Sequence, residues 1–383
     1  MNRAIAKLKC VCFGSVFLLV LCYREHMWKT LVLNPTPLEP QLQKYIGAYY
    51  WSGAIKTLEP EEINATLLTH LYYAFLDVND DASLTIQREK QGFVPRLLAL
   101  KQENPDLKLL FSVVNKNGSF AKVIASADLR EKFVKNAYDM VTKQKYDGID
   151  FDWEFPQDAD KENFVSLLKE VSTEFKKNGY LVTAAVRAIP IYDNSGYNVP
   201  EIVKYLDVIN VMTYDYYGSW SNVTGENSPL YSSSLDGNYE KKYLNINASM
   251  NNWVNAGASK SLLAMGIPFY GRTFTLVDPE QHDLHSPSSG GGTPAAPTYY
   301  QILKSYKNYT TVFNEEQASN YKYSGTTWLA YDDERSIQIK VKYAQDQALM
   351  GVFIWHVGAD DMAMEFSSRR QPLLQTINEV LVN

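Results

Sequence analysis

Asp147-Gly148-Ile149-Asp150-Phe151-Asp152-Trp153-Glu154 concentrates four acids in one short run. Strand side chains alternate between faces, so Asp150, Asp152 and Glu154 share one face while Ile149, Phe151 and Trp153 share the other. An apolar face packed on helices and an acidic face turned inward describe one wall of an α/β barrel, with the acids leading toward its C-terminal mouth. Like charges packed together raise each other's pKa, so part of this set holds a proton at neutral pH, and the outermost, Glu154, can act as a general acid. The competing reading is an acidic strand that faces solvent or binds calcium. Calcium draws on carbonyl-rich loops rather than on a strand.

Working outward, β-branched and aromatic runs recur: YIGAYY from residue 45, HLYYAF from 70, LKLLFSVV from 107, GIDFDWEF from 148, LVTAAVR from 181, DVINVMTY from 207, LLAMGI from 262 and GVFIW from 351. Helical spacing fills intervals between them, as in Leu129, Phe133, Ala137, Tyr138 and Val141, or Phe164, Leu167, Leu168, Val171 and Phe175. Strand then helix, eight times over, predicts the α/β class and a (β/α)8 TIM barrel. The interval from about residue 270 to 350 exceeds the roughly 40 residues of one βα unit and predicts an extra subdomain between strands 7 and 8. No fixed-period repeat, GxGxxG or GxxxxGK phosphate loop occurs.

Residues 10–23, CVCFGSVFLLVLCY, follow Arg3, Lys7 and Lys9 and precede Arg24. That layout predicts a signal peptide or an uncleaved signal anchor over residues 1–24, a proline-bearing linker over 25–42 and a catalytic body over 43–383. The body would then enter the secretory pathway, either secreted or held by a single-pass anchor. Sequons at Asn64, Asn117, Asn222, Asn247 and Asn308 agree with a lumenal or extracellular body. Cys10, Cys12 and Cys22 are the only cysteines, so the body has no internal disulfide. Cys10 and Cys12 lack a second pair, and His282 and His285 lie in a Ser/Pro/Gly loop, so no metal site is expected. The net charge is −6 overall and −9 after residue 23, which disfavours nucleic acid as a partner. Against 16 Phe stand 27 Tyr, rings that bury area and keep a hydroxyl for a polar ligand such as a sugar.

The octet DGIDFDWE matches the DxxDxDxE signature and resembles the family 18 glycoside hydrolases, the chitinases and chitinase-like proteins. Resemblance extends from Tyr45 through HLYYAF, LVTAAV, VINVMTYDYYGSW, MGIPFYGRTF, WLAYDDERS and GVFIW. It implies that the extra segment, about 272–348, is a small α+β insertion subdomain. It also implies that Glu154 donates a proton to the glycosidic oxygen, Asp152 orients the reacting acetamido group and Asp150 relays charge beneath Asp152. Tyr214 and Asp215 match the family's MxYD pair, with Met212 below them; the phenol would bind the acetamido oxygen and the acid the sugar. Taken alone, Tyr214 reads equally as core and Asp215 as a helix N-cap. Trp355 matches the tryptophan floor of the sugar site. Tyr49, Phe75 and Asp147, the first acid of the signature, resemble further substrate-binding positions, and Arg272 resembles a substrate-contacting or subdomain-anchoring arginine. The implied reaction is retaining, substrate-assisted hydrolysis of β-1,4 bonds beside N-acetylglucosamine in chitin or its oligosaccharides, with no cofactor. A chitinase-like lectin and an endo-β-N-acetylglucosaminidase acting on glycoprotein glycans are the alternatives, and the oligomeric state is left open. One departure is at the third strand, where the family's SxGGW reads Ser112-Val113-Val114-Asn115-Lys116, which predicts a narrowed or rebuilt cleft wall.

Overall fold

Runs of apolar residues too short for helices become strands when both their faces are covered. In the computed structural model, which describes residues 45–54, 58–86, 90–115, 118–190 and 195–382 together with the backbone of three short N-terminal strands, all eight runs do so. They are β1 Tyr45–Trp51, β2 His70–Val78, β3 Lys108–Val114, β4 Gly148–Asp152, β5 Leu181–Arg187, β6 Val208–Met212, β7 Leu263–Pro268 and β8 Gly351–Trp355. Each pairs in parallel with the next, and β8 pairs with β1, so the sheet closes into an eight-stranded barrel with no free edge. The predicted (β/α)8 barrel is therefore the fold.

The two faces of β4 meet different surroundings. Ile149, Phe151 and Trp153 are buried outward, with Trp153 stacked on Phe120 at 5.4 Å and edge-on to Phe164 at 5.6 Å. Phe120 lies in the helix Ser119–Ala125 and Phe164 in the helix Lys161–Phe175, whose buried row Phe164, Leu167, Leu168, Val171 and Phe175 follows the 3.6-residue period. The inner face holds a second cluster that includes Tyr45, Tyr49, Tyr72, Leu110, Ala185, Met212 and Phe353. Three tyrosines serve this interior. Tyr45 and Tyr72 share a 2.6 Å hydroxyl contact, Tyr45 donates to Asn210 Oδ1 at 3.0 Å, and Asn210 Nδ2 donates to the Tyr49 hydroxyl at 3.3 Å. A polar column thus rises through the barrel toward Asp150.

Between β7 and β8 lies the insertion subdomain, a five-stranded antiparallel sheet in the order Ser288–Gly291, Arg272–Leu276, Thr327–Tyr331, Ser319–Ser324, Thr310–Asn314, with the helix Tyr299–Ser305. Arg272, its first residue, starts only four positions after β7 ends, so the subdomain stands at the barrel mouth.

Residues Met1–Gln43 form a compact unit of their own. Its described backbone is an antiparallel sheet of Lys9–Phe13, Val16–Leu21 and Lys29–Val32. The apolar run expected to be a signal or anchor is thus split over two strands, and the expected linker contains the third. The rest of both segments lies outside the described residues. Among the described residues, no helix is long and apolar enough to cross a membrane.

Candidate active site

Parallel register decides what each acid of β4 meets. Asp150 sits between Ser112 on β3 and Thr183 on β5, while Asp152 sits between Val114 and Ala185. Asp150 is fully buried and accepts from Tyr49 at 2.8 Å, Ser112 at 2.7 Å and Thr183 at 2.6 Å. Burial lifts its pKa above the ordinary carboxylate value, and the three hydroxyls pull it part of the way back. Asp152 receives no such help. It is 3% exposed, and its buried Oδ1 has no hydrogen-bond partner. Burial first, then the charges of Glu154 and Asp150, hold its pKa well above normal. Two residues further on, Glu154 meets solvent at the mouth with protein on its remaining sides. Its pKa is raised by burial and then by Asp215, against the opposing charge of Arg187. All three acids thus have pKa values raised above the ordinary carboxylate range, burial being the first cause in each.

Asp152 and Glu154 open into a cavity of about 650 Å³, within the usual range for a ligand cleft, with Asp150 buried outside its lining. Of the expected residues, Tyr49, Asp152, Glu154, Met212, Tyr214, Asp215, Arg272 and Trp355 line it. Burial holds the pKa of Tyr214, in the cavity lining, well above its ordinary value, so the phenol stays a hydrogen-bond donor. Its ring fits because β7 carries Gly266 beside it: a Cβ there would lie 2.8 Å from Tyr214 Cε1 and 2.9 Å from the Val211 carbonyl oxygen. Asp215 is not a helix cap. It adopts φ +61°, a left-handed conformation that Asp tolerates better than most residues. Its N–H donates to Asn227 Oδ1 at 3.1 Å, and its Oδ1 accepts from Tyr270 and from Arg272 Nε, each at 2.7 Å. A second contact from Arg272 at 2.5 Å makes the pair bidentate. The Arg272 guanidinium lies 5.1 Å from the Trp220 ring, which is 57% exposed and offers a face at the rim. Trp355, ending β8, is backed by Tyr49 at 5.6 Å.

Two expected residues are placed elsewhere. Asp147 precedes β4 at the opposite, N-terminal end of the barrel, where it pairs with Lys101 at 2.5 Å and accepts the Leu109 N–H at 2.6 Å. It fastens β4 to β3 rather than touching the cleft. Phe75 stacks on Trp355 at 5.7 Å and is not itself among the residues lining the cavity. Just beyond the altered third strand, Asn115 Oδ1 accepts the N–H of Phe120, in the first turn of the following helix, at 3.1 Å. Lys116 and the Asn117 sequon lie outside the described residues. Sequence reading missed Phe155, Arg187 and Tyr270, all in the lining. It also assigned no role to Ser112 and Thr183, although both were visible as hydroxyls in otherwise apolar strands. Among the described residues, no cluster of His, Cys, Asp and Glu could hold a metal.

A closed (β/α)8 barrel with stacked acids on one strand and aromatic rings around its mouth has the site of a glycoside hydrolase. The chain belongs to glycosyl hydrolase family 18, whose pattern matches residues 45–360. It is 31% identical over 345 residues to mouse (Mus musculus) chitotriosidase-1, covering 84% of this chain and 74% of that protein. It is 33% identical over 365 residues to probable chitinase 10 of Drosophila melanogaster, covering 88% of this chain but only 16% of that much longer protein. Among solved structures, a mutant of the class V chitinase from Nicotiana tobaccum in complex with NAG4 superposes with a TM-score of 0.79 at 29% identity, over 88% of this chain and 99% of that one.

Proposed function

We propose that the protein hydrolyses β-1,4 bonds next to N-acetylglucosamine in chitin or chitin oligosaccharides, with retention of configuration. The observation that carries this reading is the placing of Glu154 in the cleft lining, its pKa raised by burial and by Asp215, two residues beyond an Asp152 whose buried Oδ1 has no partner. Glu154 donates its proton to the glycosidic oxygen as the C–O bond breaks. The substrate's acetamido oxygen attacks the anomeric carbon from the other face and forms an oxazolinium intermediate, so no enzyme carboxylate is needed as nucleophile. Asp152 orients the acetamido group and stabilises its developing positive charge, and the Tyr214 hydroxyl donates to the acetamido oxygen. Glu154, now a carboxylate, takes a proton from water as that water opens the intermediate on the original face. Trp355 floors the sugar site, and the Asp215–Arg272 pair holds its far wall. Chitinase relatives, and a relative solved in complex with NAG4, support this substrate class.

Glu154→Gln tests the assignment, because it keeps the side chain's shape and removes the transferable proton. Hydrolysis of chitin oligomers should fall at least about a hundredfold while binding persists. Unchanged turnover would remove Glu154 from the role. Binding without turnover in the wild type would replace hydrolase with lectin, and release of glycans from glycoproteins alone would replace chitin as substrate.

We also propose a lumenal or extracellular location. The basic and apolar N-terminal run supports it, as does the solvent exposure of the sequon residues Asn64, Asn222 and Asn308. An endoglycosidase-sensitive mass on protein made in secreting cells checks this. A protein of unmodified mass that stays in the cytosol would refute it.

A further inference from the structure

Glu226, Asn227 and Ser228 lie in a stretch without helix or strand, yet each is at most 1% exposed. Polar side chains sealed in a loop need partners, and these three reach different elements. Glu226 Oε2 accepts the Ser319 hydroxyl of the insertion sheet at 3.0 Å. The Ser228 hydroxyl donates to the carbonyl of Thr213, the residue after β6, at 2.6 Å, and the Thr213 hydroxyl donates in turn to the Gly266 carbonyl of β7 at 2.8 Å. Between them, Asn227 reaches the wall of the cleft.

Its amide spans two chain segments. Oδ1 accepts the N–H of Asp215, which follows β6, at 3.1 Å, and Nδ2 donates to the carbonyl of Tyr270, which follows β7, at 3.2 Å. Its backbone carbonyl accepts the Tyr216 N–H at 3.3 Å, so Asp215 and the residue after it are both tied to Asn227. An acceptor facing an N–H and a donor facing a C=O are what a primary amide supplies, and neither a carboxylate nor an apolar side chain of that size offers both. The two tied segments carry the contacts of the cleft wall: the Tyr270 hydroxyl and Arg272 Nε both donate to Asp215 Oδ1 at 2.7 Å. Asp215 also depends on such support, because its φ of +61° is a conformation that persists in a non-glycine residue where neighbours fix it. Asn227 is not among the residues lining the cavity, so any effect on a sugar must pass through Asp215.

We propose that Asn227 is a positioning residue for the cleft. It fixes the left-handed backbone of Asp215 and the spacing of the chain after β6 from the chain after β7, so that Asp215 and Arg272 meet in the bidentate pair that holds the sugar. The proposal rests on that pair being the far wall of the substrate site.

The test uses Asn227→Ala in the full chain, with and without Asp215→Ala, and two readings. The first is kcat/KM on a soluble N-acetylglucosamine oligomer, taken as a double-mutant cycle. Asn227→Ala should lower it about tenfold with Asp215 present, the scale of a buried hydrogen bond left unmade, and by less than about twofold once Asp215 is already Ala. The second is hydrogen exchange of the Arg272 Nε–H followed by nitrogen-15 NMR, the signal being assigned by its loss in Arg272→Lys. That proton is bonded to Asp215 in the wild type, and Asn227→Ala should speed its exchange about tenfold. Equal losses of kcat/KM in both backgrounds, or an unmoved Arg272 signal, would make Asn227 merely structural and overturn the proposal. Asn227→Ser, which keeps a hydroxyl too short to reach both partners, repeats both readings if the alanine variant does not fold; failure of both variants to fold would also overturn it. If the wild type does not cleave, or Asp215→Ala alone leaves kcat/KM unchanged, the proposed function or the role of Asp215 in it fails, and the Arg272 exchange still decides whether Asn227 sets the pair.

Discussion

Asp152→Asn should stabilise the protein, and the gain should grow with pH. The carboxyl is buried between Val114 and Ala185, its Oδ1 has no partner, and Asp150 and Glu154 add like charge nearby. Its pKa in the folded chain is therefore raised above the value of about 3.9 for an unfolded aspartate. Below about pH 4 both states carry the proton, and titration contributes no difference. Above it the unfolded chain releases the proton first, so wild-type stability falls by about 1.4 kcal/mol per pH unit until the folded carboxyl also ionises. Asparagine has nearly the same shape and does not titrate. Wild type and variant should thus unfold at similar temperatures near pH 4, and the variant should gain progressively toward neutrality, as read by calorimetry at fixed ionic strength. Its hydrolysis of chitin oligomers should fall sharply, because the carboxylate is needed when charge develops on the acetamido group. A stability difference independent of pH, or one that widens in favour of the wild type, would refute the reasoning.

Trp355→Ala should weaken oligosaccharide binding by about tenfold, the equivalent of roughly 1 to 2 kcal/mol for a ring face covered by a sugar. Calorimetric titration in the Glu154→Gln background isolates that loss from turnover. Gly266→Ala should lower kcat more than stability, because its Cβ must displace the Tyr214 ring or the β6 backbone, each less than 3 Å away. Equal kcat in variant and wild type would show that Tyr214 needs no such fit.

Much of the barrel was legible because parallel strands covered on both faces must be apolar throughout, as GVFIW and LLAMGI are. The catalytic strand could be read for the opposite reason: acids at alternate positions of a buried strand have few physical uses other than chemistry. Asp147 shows where a motif overreached. A barrel strand runs from base to mouth, so the residue before β4 starts at the wrong end to meet substrate, and its Lys101 partner holds it there. Phe75 is one ring removed from the lining, stacked on Trp355. Arg187 was visible at the end of LVTAAVR, but its place in the cleft lining depends on where β5 sits in the closed barrel, which no spacing within the strand encodes. Likewise, the lone acid Asp152 differs from the well-bonded Asp150 only through what β3 and β5 set beside each.

Substrate-assisted retention is tested most directly by the anomeric form of the first product. Proton NMR of a chitin oligomer during cleavage, read before mutarotation, should show the new reducing end appearing as the β-anomer. An α-anomer appearing first would contradict the retaining mechanism, and no new reducing end under conditions where the oligomer binds would contradict hydrolysis itself.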